Sequence, residues 1–118
     1  MTDLEHPTLL RLERYLDLTV FRQGIVAGNI ANVDTPGYRT RDIDFRSALA
    51  QALGGSGPLA PEVREVPGLI QRPDGNNVSL ERESMLLAET QLQFRTGEQL
   101  LRSQFQRLLF AINEGKSS

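Results

Sequence analysis

The side chains in this chain that could carry chemistry are few and poorly placed for it. Its one histidine, His6, lies in the acidic head Met1-Thr2-Asp3-Leu4-Glu5-His6-Pro7. That head is expected to be disordered, so a histidine base or a Ser-His-Asp arrangement has nothing to lean on. Asp42 and Asp44 alternate in a DxD pattern that could hold a hard cation, yet no third ligand cluster or EF-hand spacing follows; turn and helix-cap duty is the better reading. Gly115-Lys116-Ser117 imitates the end of a phosphate-binding loop, but the earlier glycine such a loop needs falls on Phe110 and no following helix is expected. Arg39, Arg41 and Arg46 form a small basic group interleaved with Asp42 and Asp44 and have no aromatic stacking platform. Pairing with carboxylates of another chain is the preferred reading for them, with a solvated face as the alternative. Zero cysteines exclude a thiol nucleophile, a disulfide framework and a cysteine-based zinc site. No catalytic, cofactor-binding or metal site is assigned, and no small-molecule substrate is expected. The 13 basic and 15 acidic side chains are mixed along the chain, which suggests no polyanion-binding surface and argues against nucleic acid.

The elements around these residues read as helix, turn, short helix, irregular middle and long helix. At 118 residues, 39% hydrophobic and 6% aromatic, the chain allows a single domain, 1–118, with limited material for a compact core. An N-terminal helix is expected over about 8–33. Leu9, Leu12, Leu16 and Val20 form one stripe along it, and Leu18, Phe21 and Ile25 form a second beside it. Two stripes imply more than one packing partner. Gly24 and Gly28, four apart, cost helix propensity but would let another backbone come close. A turn and short helix fill 34–54, with Asp44 as cap and Phe45, Ala48, Leu49, Ala52 and Leu53 on one side. The segment 55–78, with its prolines and scattered valines, is expected to be extended and partly irregular.

A C-terminal helix over about 79–113 should begin at Ser79 as N-cap, carry Glu81 and Glu83 in its first turn, and stop before Gly115. Leu80, Leu87, Phe94, Leu101 and Leu108 recur every seven residues, which marks a coiled-coil seam. Three residues on from each sit Glu83, Thr90, Gly97, Gln104 and Ala111; four on sit Ser84, Gln91, Glu98, Phe105 and Ile112. The seam is therefore narrow early and broad only from Leu100 onward. The fold class expected is mainly α: long N- and C-terminal helices packed as a coiled coil or helical bundle, joined by the irregular middle. The N-helix is the expected partner of this seam, and its second stripe points to neighbouring subunits. The acidic start lacks the apolar run of a cleavable secretory signal, and no uninterrupted apolar stretch is long enough to span a bilayer.

The most informative residues are Asn29-Ile30-Ala31-Asn32-Val33-Asp34-Thr35-Pro36-Gly37-Tyr38. Asn32 tolerates the left-handed conformation that ends many helices, and Pro36 cannot continue one. Pro36-Gly37 supplies the fixed and the permissive φ that a type II turn wants at its two central positions. The ordered run Asn29, Ala31, Asn32, Thr35, Pro36, Gly37 and Tyr38 resembles the ANxxTPGY signature of the flagellar rod and hook family. The stretch Asp74-Gly75-Asn76-Asn77-Val78-Ser79-Leu80-Glu81-Arg82-Glu83, with Leu87 to Phe94 behind it, resembles FlgB-type proximal rod proteins, although Ser79, Thr90 and Phe94 depart from the usual pattern. FlgC-type rod subunits are the nearest alternative, and a cytoplasmic coiled-coil adaptor is a rival of another class that leaves the TPGY run unexplained. The resemblance implies a structural subunit without enzymatic activity. Such a subunit is exported unfolded by the flagellar type III apparatus, without a cleavable signal peptide, and polymerises with itself and other rod proteins into the torque-transmitting rod that crosses the periplasm. It also implies contact with the FliE adaptor and the export gate. Phe45 and Leu49 resemble the short phenylalanine-then-aliphatic export signal of such subunits, though plain packing of an amphipathic helix is the preferred reading.

Overall fold

The computed structural model describes residues 5–55 and 61–117. Three helices account for most of them: α1 (Glu5–Ala31), α2 (Phe45–Leu53) and α3 (Leu80–Ser117). Two short strands, β1 (Arg41–Asp42) and β2 (Arg64–Glu65), pair antiparallel with Arg41 opposite Glu65 and Asp42 opposite Arg64. Helices α1 and α3 run antiparallel. Asn29 near the end of α1 meets Glu83 near the start of α3, and Tyr15 and Leu16 meet Gly97 further along. The particle is elongated, 72 × 26 × 17 Å.

Local chemistry explains most of the boundaries. Ser79 Oγ accepts from the Arg82 amide at 3.1 Å and caps α3, while Asp44 Oδ1 accepts from the Ser47 amide at 3.2 Å and caps α2, both as expected. Three boundaries differ from expectation. Helix α1 begins at Glu5, so the backbone at His6 is helical; Pro7 falls in the first turn, where its missing N–H costs nothing. Asn32 does not end α1 in a left-handed conformation, since no described non-glycine residue has a positive φ. It ends the helix with its side chain instead, Nδ2 donating to the Gly28 carbonyl at 2.8 Å. Gly115 also lacks a positive φ and does not terminate α3, which continues to Ser117.

The centre of the molecule is more polar than the apolar stripes suggest. Buried hydrophobic residues are Leu18, Val26, Ile43, Ala52, Val78 and Leu86, whereas Thr19, Asn29, Thr40, Asp42, Asn76, Asn77, Glu83 and Thr90 are buried polar ones. On α1 the buried line runs through Thr19, Val26 and Asn29. Leu9, Leu12, Leu16 and Ile25 are half-buried, and Val20 and Phe21 face outward. On α3 the heptad residues Leu87, Phe94, Leu101 and Leu108 are half-buried, while Leu80, Phe105 and Ile112 are exposed. The deepest positions are those three residues further on: Glu83, Thr90 and Gly97.

Small and polar residues there let the helices approach closely. A Cβ added at Gly97 would lie 2.8 Å from Leu16 Cδ2 and 3.0 Å from the Tyr15 ring. The close approach expected at Gly24 and Gly28 is therefore at Gly97; nothing lies within 4 Å of a Cβ built at either α1 glycine. Two buried threonines cost little because each hydroxyl donates within its own helix: Thr19 to the Leu16 carbonyl at 2.7 Å and Thr90 to the Leu87 carbonyl at 3.0 Å. The described part of the middle is irregular as expected, but its end is not loose, because Asn76, Asn77 and Val78 are fully packed.

Candidate functional site

The Asn29–Tyr38 segment and the Arg72–Glu83 segment fold into one buried polar lock. At its centre is Asn29, fully buried, whose amide meets its whole hydrogen-bonding capacity. Its Nδ2 donates to Glu83 Oε1 and to the Arg41 carbonyl, both at 2.8 Å. Its Oδ1 accepts from the Tyr38 hydroxyl at 2.9 Å and the Arg41 amide at 3.2 Å. One side chain thus ties the end of α1 to the tyrosine behind the turn, to β1 and to α3.

Glu83 leads from Asn29 into an ion-pair chain. Its Oε2 accepts from Arg82 Nη1 at 2.6 Å, and Arg82 Nη2 reaches Asp42 Oδ2 at 2.8 Å. Arg22 of α1 grips the same Asp42 carboxylate through Nε and Nη2, each at 3.0 Å, the bidentate geometry that suits a guanidinium. The Ile43 amide adds a further bond to Asp42 Oδ1 at 2.7 Å. Burial pushes the Asp42 carboxyl up, but the Arg22 hydrogen bonds, the Ile43 amide and Arg82 outweigh it and hold it below the ordinary 3.8. The same bond to Asp42 raises Arg22. The Phe45 ring lies 5.8 Å from the Arg22 guanidinium and meets Tyr15 edge-on with centroids 6.2 Å apart, which seats α2 on α1. Burial, with Glu89 nearby, pushes the Tyr15 phenol up.

The turn itself is braced by the second segment. Tyr38 N donates to the Thr35 carbonyl at 3.2 Å, and Gly37 has φ 76°, the type II geometry expected for Pro36-Gly37. Asn76 Nδ2 donates to the Asn32 and Thr35 carbonyls at 2.9 and 2.8 Å, and its Oδ1 accepts from the Val78 amide at 2.8 Å. Each of these carbonyls also accepts a backbone amide, Asn32 O from Thr35 N at 3.0 Å and Thr35 O from Tyr38 N, so Asn76 fills the second acceptor site of each. Asn77 Oδ1 accepts from the Thr40 amide at 2.7 Å, and Gly37 N donates to the Asp74 carbonyl at 2.9 Å. Arg72 closes the assembly by donating to the Val33 and Val78 carbonyls. Gly75, at φ 90°, sits so close to the turn that a Cβ there would be 3.2 Å from Gly37 Cα.

Of the motif residues, Asn29 is buried, Asn32 and Tyr38 are half-buried within the lock, and Ala31, Thr35, Pro36 and Gly37 form an exposed crest. Phe45 and Leu49 are half-buried on α2. Arg39 also has contacts inside the subunit, with Glu65 at 3.7 Å and Gln71 at 2.8 Å, both at the surface. Asp44 has the cap role expected of it, but Asp42 has an ionic one that its DxD spacing did not suggest. Arg22, Arg72, Arg82, Asn76, Asn77 and Glu83 were not expected as site residues. The signal that could have found Arg22 and Glu83 is a charged residue at a core-facing heptad position, which needs a partner to be tolerated.

A model of the family described as flagella basal body rod protein matches residues 21–39, the stretch from Phe21 through the turn to Arg39. The chain is 33% identical over 122 aligned residues to the flagellar basal body rod protein FlgB of Salmonella typhimurium, covering 85% of this chain and 88% of that protein. The chain belongs to the FlgB family of flagellar basal body rod proteins. The FlgB proteins of Yersinia ruckeri, 33% identical over 85% of this chain and 89% of that protein, and of Cereibacter sphaeroides, 34% identical over 77% and 82%, agree. The segment matched by the FlgB family's broader rod model holds Arg22, Asn29, Asn32 and the turn, which is one half of the lock. The other half, Arg72 to Glu83, lies beyond it. No described helix is long and apolar enough to cross a membrane.

Proposed function

We propose that this protein is a structural subunit of the proximal rod, self-assembling with other rod proteins into the drive shaft that transmits torque, with no catalytic step. The observation that supports this reading is the division of its surface. The polar groups of the lock are satisfied inside the subunit, while large apolar side chains stand exposed on both long helices: Leu10, Val20 and Phe21 on α1, and Leu92, Leu100, Phe105 and Phe110 on α3. Each such side chain stabilises an interface by roughly 1.5–3 kcal/mol when fully covered. A furrow of ≈500 Å³ between Leu9, Leu101 and Phe105 adds concave apolar surface at the end of the molecule away from the lock. Subunits joined head to tail through faces that do not close on themselves make an open helical array. In this reading the lock supplies the stiffness and the exposed helix faces supply adhesion.

The Thr35-Pro36-Gly37 crest is the part of the motif offered to neighbours, and Asn29, Asn32 and Tyr38 act within the subunit. The partners are further copies, other rod proteins, the FliE adaptor and the type III export gate; the location is the basal-body rod in the periplasmic space, reached by flagellar export. Phe45 and Leu49 serve packing of α2 in this reading. Because the chain has no cysteine, single cysteines at Leu92 or Phe110 report contacts cleanly. A photoactivatable cross-linker attached to either cysteine is expected to join the chain to neighbouring subunits in isolated basal bodies. A chain that stays monomeric after irradiation there would contradict the assembly reading.

A further inference from the structure

The α1–α3 seam contains an ambiguity that its apolar residues cannot resolve. Leu80, Leu87, Phe94, Leu101 and Leu108 repeat every seven residues without interruption. Such a repeat is satisfied nearly as well after one helix slides along the other by one heptad, a displacement of about 10 Å at 1.5 Å per residue. The lock ties the start of α3 to the end of α1 through Asn76 and Asn77, and along the helices two features of the buried line break that degeneracy. At Gly97 the helices touch because no side chain intervenes, with the Cβ position 2.8 Å from Leu16 Cδ2 and 3.0 Å from the Tyr15 ring. A slide by one heptad brings Thr90 or Gln104 to that point, and either carries atoms well beyond a Cβ into the same space. At the other end, the fully buried Glu83 takes a hydrogen bond from Asn29 at 2.8 Å. A slide by one heptad carries Glu83 either past the end of α1 or to the level of Arg22, which already grips Asp42, and in both cases takes its acceptor from the fully buried Asn29 Nδ2.

We propose that Glu83 and Gly97 set the register of α3 against α1, Glu83 by requiring Asn29 and Gly97 by excluding every larger residue from the crossing at Tyr15 and Leu16. A single buried polar residue that fixes helix register is a well-attested device, and here a steric key reinforces it. The consequence is a defined overhang. With Asn29 level with Glu83 and Tyr15 level with Gly97, the start of α1 at Glu5 falls near Arg107, and the apolar turn carrying Leu109, Phe110 and Ile112 projects past it. A slipped subunit would present that turn about 10 Å out of place. The inference concerns the subunit alone and holds whether or not the rod assignment does.

The test uses the full chain with cysteines at the exposed positions Ala27 and Gln106, about 30 Å apart along the helix axes so that a one-heptad slide changes their separation by about 10 Å; each carries a nitroxide, and pulsed electron paramagnetic resonance reads the inter-label distance. The native chain should give one distance population. Glu83→Leu by itself leaves the Gly97 key in place and should keep the native distance. The exchange Thr90→Gly with Gly97→Thr moves the key by one heptad and should shift the population towards the slipped register. Glu83→Gln, which can still pair with Asn29, should keep the native distance alone. A single native distance in the exchange variant made together with Glu83→Leu and with Asn76→Ala, which releases the start of α3 from the end of α1, overturns the proposal. Should that variant lose its helical circular dichroism, Gly97→Ala decides by itself: an unchanged thermal midpoint refutes the steric key and a lowered one supports it.

Discussion

Replacing Asn29 by aspartate keeps the shape of the side chain and inverts half of its hydrogen bonding, and a pH-dependent loss of stability should result. The two accepted bonds, from Tyr38 and Arg41 N, survive the change. The two donated bonds, to Glu83 Oε1 and the Arg41 carbonyl at 2.8 Å each, become oxygen–oxygen contacts. Two unit charges at that separation repel by about 6 kcal/mol at an effective dielectric constant near 20. The chain has a cheaper escape, which is to protonate the introduced carboxyl. Doing so at pH 7 costs roughly 4 kcal/mol for an acid whose free pKa is about 3.9. That cost caps the electrostatic loss, which Arg82 beside Glu83 reduces somewhat further.

The expected deficit of Asn29→Asp is therefore about 3–4 kcal/mol at pH 7, a large part of the 5–15 kcal/mol that domains usually possess. Its sign with pH follows from the raised folded-state pKa. The penalty is full above that value and shrinks by about 1.4 kcal/mol per unit as pH falls towards the unfolded value. At pH 5 it should be near 1–2 kcal/mol. Asn29→Ala removes the same donors without adding a charge, so its deficit should be the same at both pH values. Urea denaturation followed by circular dichroism at pH 7 and pH 5 measures all of this. A deficit below 1 kcal/mol at pH 7, or one equal at the two pH values, would refute the placement of Asn29 against Glu83.

Four further outcomes follow from the same contacts. Gly37→Val forces a β-branched residue to φ 76°, so the subunit should lose about 1–3 kcal/mol in urea denaturation and rods should not grow; motile cells with intact rods would contradict the turn argument. Asp42, held below 3.8, stabilises the fold fully above that value and loses its contribution as pH falls through the lower folded-state pKa. The native chain should therefore weaken below about pH 4 and Asp42→Asn should lack that component while being less stable at neutral pH; an unchanged acid slope in an acid-titration melt would refute it. Phe45→Ala removes the contacts with Tyr15 and Arg22 and should lower subunit stability by roughly 2 kcal/mol with secretion at the native level, whereas blocked secretion at a normal cellular level would instead make Phe45 an export determinant. Leu101→Ala, at a half-buried position beside the distal furrow, should cost about 2–5 kcal/mol once neighbours cover it, leaving export intact and abolishing rod growth, as basal-body counts by electron microscopy would show.

The helices, both side-chain N-caps and the positive φ of Gly37 were legible in the sequence because each depends on residues close along the chain. The composition of the seam was not. Counting apolar residues assigns Val20 and Phe21 to the packing stripes and treats Glu83, Thr90 and Gly97 as interruptions, whereas the helices meet on the interruptions. Short and small side chains permit the close approach, and the charge of Glu83 is tolerated only because Asn29 and Arg82 are waiting for it. That partnership spans 54 residues of chain and leaves no local periodic trace. The same holds for Asn76, whose sequence neighbours announce a turn but whose side chain holds the carbonyls at the end of α1. The role of Asp42 is hidden for a related reason: alternation with Asp44 suggests a shared role, but β1 turns one carboxylate inward to Arg22 and leaves the other to cap α2.

Where the protein resides, and what fails without it, test its place in the rod most directly. A chromosomal deletion complemented by a tagged copy, followed by isolation of basal bodies, measures both at once. The tagged chain should co-purify with the rod, and basal bodies from the deletion strain should lack a rod entirely. Complete rods without the protein, or a tagged copy that restores motility yet stays in the cytoplasm, would contradict the assignment to the rod.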